Sequence, residues 1–175
     1  MPLSFEKKKA LVAEVSEVAA NAHSAVAAEY RGLTVAQMNE LRAKARDSGV
    51  YLRVVKNNLA RRALEGTDFE CMQESLVGPL LLAFSQEDPG SAARVVKNFA
   101  KEHSLLEAKI VAIGGQAYSG SELDRVASLP TRDEAIAQLL SVMKAPVEKF
   151  VRTLNEPHAK LVRTFAALKD QKEAA

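Results

Sequence analysis

Gln138-Leu139-Leu140-Ser141-Val142-Met143, Lys149-Phe150-Val151-Arg152-Thr153-Leu154 and Lys160-Leu161-Val162-Arg163-Thr164-Phe165 are three versions of one phrase, set eleven residues apart. The prolines keep the same interval, at Pro146 and Pro157. Eleven residues make three helical turns at about 3.67 residues per turn, so each block returns its apolar side chains to nearly the same azimuth. Leu139, Leu140, Met143, Val147, Phe150, Val151, Leu154, Leu161, Val162, Phe165 and Leu168 therefore form one stripe with i, i+3, i+4, i+7 spacing. The stretch reads as a helix of about 31 residues, roughly 47 Å long, which exceeds the width of a small domain. Much of such a helix must overhang its own domain, and a repeated apolar face is then better explained by several copies of one partner docking in series, helix in groove, than by self-packing. Each proline removes a backbone donor and disfavours helical geometry just before it, so the arm is expected to be kinked or segmented at Ala145 and Glu156.

Immediately before the arm, Leu129-Pro130-Thr131 reads as a hinge: Pro130 ends what precedes it, and Thr131 with Glu134 has the spacing of a capping box for a new helix. The expected organisation is a body over residues 1–128, a hinge at 129–131 and the helical arm at 132–175. In the body, Ser4 caps a helix running to about Ala22, with Leu11, Val12, Val15, Val18 and Ala19 buried. A strand over His23–Glu29 leads into the turn Tyr30-Arg31-Gly32-Leu33-Thr34. Thr34 and Gln37 form a capping box for a helix to Asp47, closed by Ser48-Gly49. Val50–Val55 alternates as a strand, Val50, Leu52 and Val54 inward and Tyr51 and Arg53 outward, and Asn57 caps a short helix ended by Gly66. Thr67 and Glu70 suggest another capped helix to Ser75, and Leu76–Phe84 a central strand. Asp88-Pro89 starts a helix to His103 that buries Val95, Val96, Phe99 and Ala100. Leu105–Ile113 is a strand with Leu106, Ala108, Ile110 and Ala112 on one face; Gly114-Gly115 turns it into Gln116–Tyr118, and Ser121 caps a last short helix. Alternation of helices and strands gives a two- or three-layer domain; by itself it suggests a parallel sheet without excluding a mixed one.

The chain has 175 residues, of which 47% are hydrophobic, enough for one core. Its formal charge is only +2, but the charge is unevenly placed: residues 30–65 carry +5, whereas 1–29 carry −1, 66–128 carry −4 and 129–175 carry +2. A basic block of this kind is the footprint expected for a polyanion. Cys71 is alone, which rules out an internal disulfide and fits a reducing cytoplasm; it sits in an expected helix and reads as core. The N-terminus lacks the apolar run of a signal peptide and no stretch of about 18 apolar residues occurs, so no membrane partner is expected.

No enzyme signature survives inspection. His23, His103 and His158 lack ligand spacing, Gly114-Gly115 lacks the rest of a dinucleotide fingerprint, and no phosphate loop is present, so neither metal nor cofactor is expected. The acidic pairs Glu87-Asp88 and Asp133-Glu134 stand at helix starts, where dipole and caps account for them. One constellation rises above this background: Tyr30, Arg31 and Gly32 with Arg53, Lys56, Asn57, Asn58, Arg61 and Arg62. Arginine forks grip phosphates bidentately, Lys56 adds a point charge, and the amides of Asn57 and Asn58 suit phosphate, sugar or base edges. Tyr30 offers a stacking face or a 2′-hydroxyl contact. The run Lys7-Lys8-Lys9 could reach phosphates too, although such runs are usually solvated.

Tyr30-Arg31-Gly32-Leu33-Thr34, Leu41-Arg42, Gly49-Val50-Tyr51 and Val54-Val55-Lys56-Asn57-Asn58-Leu59-Ala60-Arg61-Arg62-Ala63, continued through Phe84, Leu129-Pro130-Thr131 and the arm, resemble the bacterial ribosomal stalk-base family, the tenth protein of the large subunit. The resemblance covers essentially the whole chain, because order, spacing and tail all agree. It implies an α+β fold: an N-terminal ferredoxin-like plait with a mixed or antiparallel sheet, followed by a long segmented helical arm. It also implies a ribosomal, cytoplasmic protein that binds large-subunit ribosomal RNA, with Tyr30, Arg31, Gly32, Lys56, Asn57 and Arg61 as contacts. The arm's blocks become docking sites for dimers of the acidic stalk protein, three in preference to two. A neighbouring stalk-base protein and, indirectly, the translational GTPases complete the implied partners; some family members also repress their own messenger. Two rival readings have different signatures. A free-standing nucleic-acid-binding regulator would dimerise through the arm's stripe, and an α/β enzyme with a coiled-coil tail would need a catalytic set that the residues do not supply.

Overall fold

The computed structural model describes residues 4–103 and 105–173 and divides into two compact units, residues 1–131 and 132–175. In the first unit, α1 (Phe5–Ala20) is capped by the Ser4 hydroxyl, which accepts from the Lys7 amide at 3.4 Å. There follow β1 (Ser24–Glu29), α2 (Val35–Asp47), β2 (Val50–Val54) and α3 (Asn57–Leu64). A 3₁₀ helix (Glu70–Ser75) leads to β3 (Leu80–Ser85), α4 (Ser91–Glu102), β4 (Glu107–Ile113), β5 (Gln116–Ser119) and α5 (Leu123–Ala127). The capping box predicted for α2 forms: the Thr34 hydroxyl accepts from the Gln37 amide, and the Gln37 side chain accepts from the Thr34 amide.

The sheet order is β2-β3-β1-β4-β5 and every pairing is antiparallel. The four strands β4-β1-β3-β2 and the two crossings β1-α2-β2 and β3-α4-β4 are those of a ferredoxin-like plait, with β5 added as a hairpin. The parallel sheet suggested by alternation does not form. Each crossover skips a strand: β3 lies between β1 and β2, and β1 between β3 and β4, so the strands joined by a helix never touch. The β4–β5 turn is made by Gly114 and Gly115 at φ 56° and 80°, the left-handed pair that a two-residue hairpin needs.

Both faces of the sheet are covered, so the body has two cores. One holds Val15 and Ala19 of α1, Ala60, Ala63 and Leu64 of α3, Phe69 and Met72, against Ala25, Ala27, Leu82, Phe84, Ile110 and Ala112. The other holds Leu41 and Ala45 of α2, Val96 and Phe99 of α4, Leu123 and Val126 of α5, against Val26, Ala28, Leu81, Ala83 and Val111. Two-sided cover explains why β1 is apolar from Ala25 to Ala28 and β3 from Leu80 to Phe84, rather than alternating. It also corrects the reading of β2. Val50 and Leu52 face the second core, but Tyr51 packs toward the first, its ring 6.4 Å from that of Phe84, while Val54, at the strand's end, is exposed. β4 likewise does not keep one face. The register slips between Ala27, opposite Ile110, and Ala28, opposite Ala108, so Lys109 is bulged and parity reverses: Leu106 and Ala108 meet the second core, Ile110 and Ala112 the first.

Two local expectations fail for reasons visible in the hydrogen bonds. Thr67 does not cap a helix; its hydroxyl donates to the Leu64 carbonyl, and a 3₁₀ segment follows. With three residues per turn, Phe69 and Met72 point inward and Cys71, read as core, is exposed. Asn57 is not a cap either: Lys56 holds that position, and the Asn57 amide donates to the Gly78 carbonyl at 2.9 Å.

The second unit is α6 (Arg132–Glu173), one helix of 42 residues with Pro146 and Pro157 inside it. The expected segmentation does not occur; helix continues through both prolines, each of which removes one ladder bond without ending the turns around it. None of its described residues is buried.

Candidate nucleic-acid interface and docking arm

The turn after β2 and the start of α3 form one side of an open hollow of about 980 Å³. It gathers Tyr30, Lys56, Asn57, Asn58 and Arg62 from the predicted constellation, over an apolar floor that includes Val55, Leu59 and Leu80. The sequence builds this locally. Lys56, extended at φ −63° and ψ 133°, accepts the first α3 bonds from Leu59 and Ala60, so the amides of Asn57 and Asn58 open the helix without intrahelical partners. Those amides and the positive end of the helix favour an anion. Asn57 is tied to the loop wall through Gly78, and the Tyr30 amide is tied to the Pro79 carbonyl.

Not every predicted residue joins the hollow. Arg31 and Gly32 occupy the adjacent turn, both exposed, with Gly32 at φ 92°, the left-handed conformation that its lack of a Cβ permits. Arg61, half-buried, faces the other way. Its Nε donates to the Gln73 carbonyl at 3.1 Å and its Nη2 to the Leu76 carbonyl at 3.0 Å, fastening the 3₁₀ segment to α3. Arg53 pairs with Glu14 of α1, and the Tyr51 hydroxyl donates to the same carboxylate oxygen at 2.8 Å. These two hydrogen bonds, Tyr51 the larger, hold the Glu14 carboxyl below its usual range. By contrast, among the described residues Arg31, Lys56 and Arg62 have no ion-pair partner. The lining of the hollow also includes Phe5, Lys8 and Lys9 of α1; the two lysines belong to the basic run that the sequence flagged but could not place, and Lys7 is not part of the lining.

Among the described residues one grouping has metal-ligand types, Glu40, Glu102 and His103. Lys44 pairs with both carboxylates there, and its pKa is raised chiefly by Glu102, so an ammonium already supplies the positive charge.

On α6 all eleven predicted stripe residues are exposed, from 53% at Leu140 and Leu168 to 68% at Met143. Ile136, eleven residues before Val147 and equally part of the period, is also exposed and was missed because the repeat was read only from Gln138. The repeat extends to hydrogen bonds: the Thr153 hydroxyl donates to the Phe150 carbonyl at 2.7 Å, and the Thr164 hydroxyl to the Leu161 carbonyl at 2.8 Å. The first block has Val142 at that position and cannot make the bond.

The chain matches the family model described as "Ribosomal protein L10" over residues 4–101. A second model, "Ribosomal protein uL10 C-terminal region", matches twice in tandem, over residues 129–155 and 153–175. Among curated relatives, proteins named "Large ribosomal subunit protein uL10" are 70% identical in Thioalkalivibrio sulfidiphilus and 66% identical in Alkalilimnicola ehrlichii, each over all 175 residues and 99% and 100% of the relative. A third, from Methylococcus capsulatus, is 67% identical over the full length of both chains.

Proposed function

The chain belongs to the ribosomal protein L10 family of the large ribosomal subunit, and from that premise we propose that it is a two-part, non-catalytic adaptor: its body binds large-subunit ribosomal RNA through the cationic hollow, and α6 carries dimers of the acidic stalk protein. The observation that carries this reading is the exposure of the whole apolar stripe of α6. Contiguous apolar surface of this extent marks an interaction site, and the residues beside it, Lys149, Arg152, Lys160 and Arg163, are exposed and suit an acidic partner. In the body, the supporting feature is the set of cations without ion-pair partners among the described residues, Lys56 and Arg62 in the hollow and Arg31 beside it, together with the amides that open α3 without intrahelical partners. Phosphate contact there fixes register, while Tyr30, Asn57 and Asn58 supply the side-chain types that meet bases or 2′-hydroxyls.

Each dimer covers one eleven-residue block, so three blocks take three dimers, with two as the count if the first block, which lacks the arginine and threonine of the others, fails to dock. Apolar burial at about 25 cal/mol per Å² outweighs exposed charge pairs, and the apolar positions are common to all three blocks. The stalk so assembled presents the translational GTPases with their recruiting surface, beside a neighbouring stalk-base protein. The test is reconstitution of the full chain with the acidic stalk protein, followed by native mass spectrometry. A complex of one chain with six acidic chains is expected; a chain that binds none overturns the reading of the arm. RNA binding is measured in parallel by filter retention of large-subunit ribosomal RNA against salt, where a linear fall of log affinity with log salt is expected.

A further inference from the structure

We infer that the first two turns of α1 are a second wall of the RNA interface, in which Lys8 and Lys9 take phosphates of the bound strand and Phe5 packs on an unpaired base. This rests on the reading of the hollow as the RNA site and extends it to an element outside the basic block. Lys8 and Lys9 of α1 line the same hollow as Lys56 and Arg62. Neither lysine has an ion-pair partner among the described residues, although α1 also carries Glu6, Glu14 and Glu17. Four cations without counter-charges around one concavity repel one another, an arrangement whose self-energy falls when a polyanion enters.

Phe5 is the second feature. It is 76% exposed at the same hollow, whose floor continues as the half-buried Leu11 and Val12. An aromatic face held between phosphate-binding cations suits the stacking of a base that has left its helix, and single-stranded segments offer such bases where duplex does not. The wall is preorganised. α1 packs Val15 and Ala19 against α3 in the first core, and Glu14 is clasped by Tyr51 and Arg53 of β2, so the two walls are fixed relative to each other before RNA arrives. Little ordering is then left to oppose binding.

The test compares three charge-matched double variants of the full chain, binding a transcript of the large-subunit ribosomal RNA region that the parent protects from nuclease. Lys8→Ala/Lys9→Ala should lower affinity roughly tenfold or more at moderate salt and flatten the salt slope by about 0.7–0.9 for each phosphate lost. Lys56→Ala/Arg62→Ala should do the same, while Lys7→Ala/Lys101→Ala, which removes two cations outside the hollow, should change affinity less than threefold. Phe5→Ala should cost roughly fivefold or more and Phe5→Tyr should restore it, since a ring is what stacks. Circular dichroism melts should show that each variant, including that at the half-buried Lys8, keeps the fold. If the Lys8/Lys9 pair behaves like the Lys7/Lys101 control while the Lys56/Arg62 pair loses affinity, α1 is not a wall of the site and the inference falls alone. If neither hollow pair loses affinity, the reading of the hollow as the RNA site falls with it.

Discussion

Lys56 and Arg61, five residues apart at the start of α3, stand in different surroundings. Lys56 is exposed and has no ion-pair partner among the described residues, whereas Arg61 is half-buried and donates to the carbonyls of Gln73 and Leu76. Arg61→Ala leaves both carbonyls without these donors, a cost of about 1–3 kcal/mol, so urea unfolding should show a lowered midpoint. Lys56→Ala should leave that midpoint within error and instead lower RNA affinity and salt slope. Equal loss of stability from both would mean that Arg61 is not the brace. Glu14 supports a second expectation. Its folded pKa lies below the ordinary glutamate value of 4.5, so its clasp stabilises the fold above that value and the contribution disappears as pH falls through the lowered one. Glu14→Gln should therefore melt a few degrees below the parent at pH 7, about 1 kcal/mol or less because the pair is half-exposed, and the gap should close as pH falls below the lowered pKa. A gap that persists in acid would assign it to packing. None of this was legible beforehand: sequence places Arg61 and Lys56 in one basic run, and only the fold ties the Arg61 side chain to two carbonyls while leaving Lys56 exposed. The same holds for Cys71, where a change from α to 3₁₀ period moved a thiol from inside to outside.

At the scale of elements, what sequence read well were features confined to one segment: the Thr34–Gln37 box, the Gly114-Gly115 turn and the apolar period of α6. It read poorly wherever a neighbour decides, as at β4, whose bulge is set by pairing with β1. α6 is a case where local cost was overestimated. An interior proline costs about 3 kcal/mol, yet both are accommodated in one helix. The eleven-residue interval that spaces the prolines also spaces the Thr153 and Thr164 hydroxyl bonds, so the last two blocks are alike in backbone as well as in stripe. They should behave as independent sites. Ending the chain at Ala159 removes the third block and should subtract one acidic dimer from the reconstituted complex, leaving the affinity of the others within about threefold. A complex of unchanged mass, or one that loses all dimers together, would show that the blocks are not separate sites. Substituting Phe150 and Leu154 by alanine should likewise empty the middle site alone.

For the whole molecule, the question is whether body and arm depend on each other. Every buried apolar residue among the described ones lies at Val126 or earlier, and α6 contributes none. The last body contacts are nevertheless later than the sequence boundary at Ser128 suggests: the Leu129 amide donates to the Val126 carbonyl, and the Leu129 carbonyl accepts from Arg94 at 3.2 Å. A fragment meant to fold should therefore end at Thr131, where the first compact unit ends, rather than at Ser128. Alternation of helices and strands could not supply the order β2-β3-β1-β4-β5, because strand order is a matter of long-range pairing; resemblance to a known plait anticipated the architecture but left the order open. That order is what closes the two cores without the arm, since α1 and α3 cover one face and α2, α4 and α5 the other. The fragment ending at Thr131 should thus unfold in one cooperative step, with a midpoint within a few degrees of the full chain, and bind ribosomal RNA with the same salt slope, because the basic block and both walls of the hollow are retained. It should bind no acidic stalk protein. A broad, non-cooperative melt of this fragment would mean that α6 packs on the body and that its exposed stripe is only partly available to partners; retained stalk binding would place a docking site in the body instead.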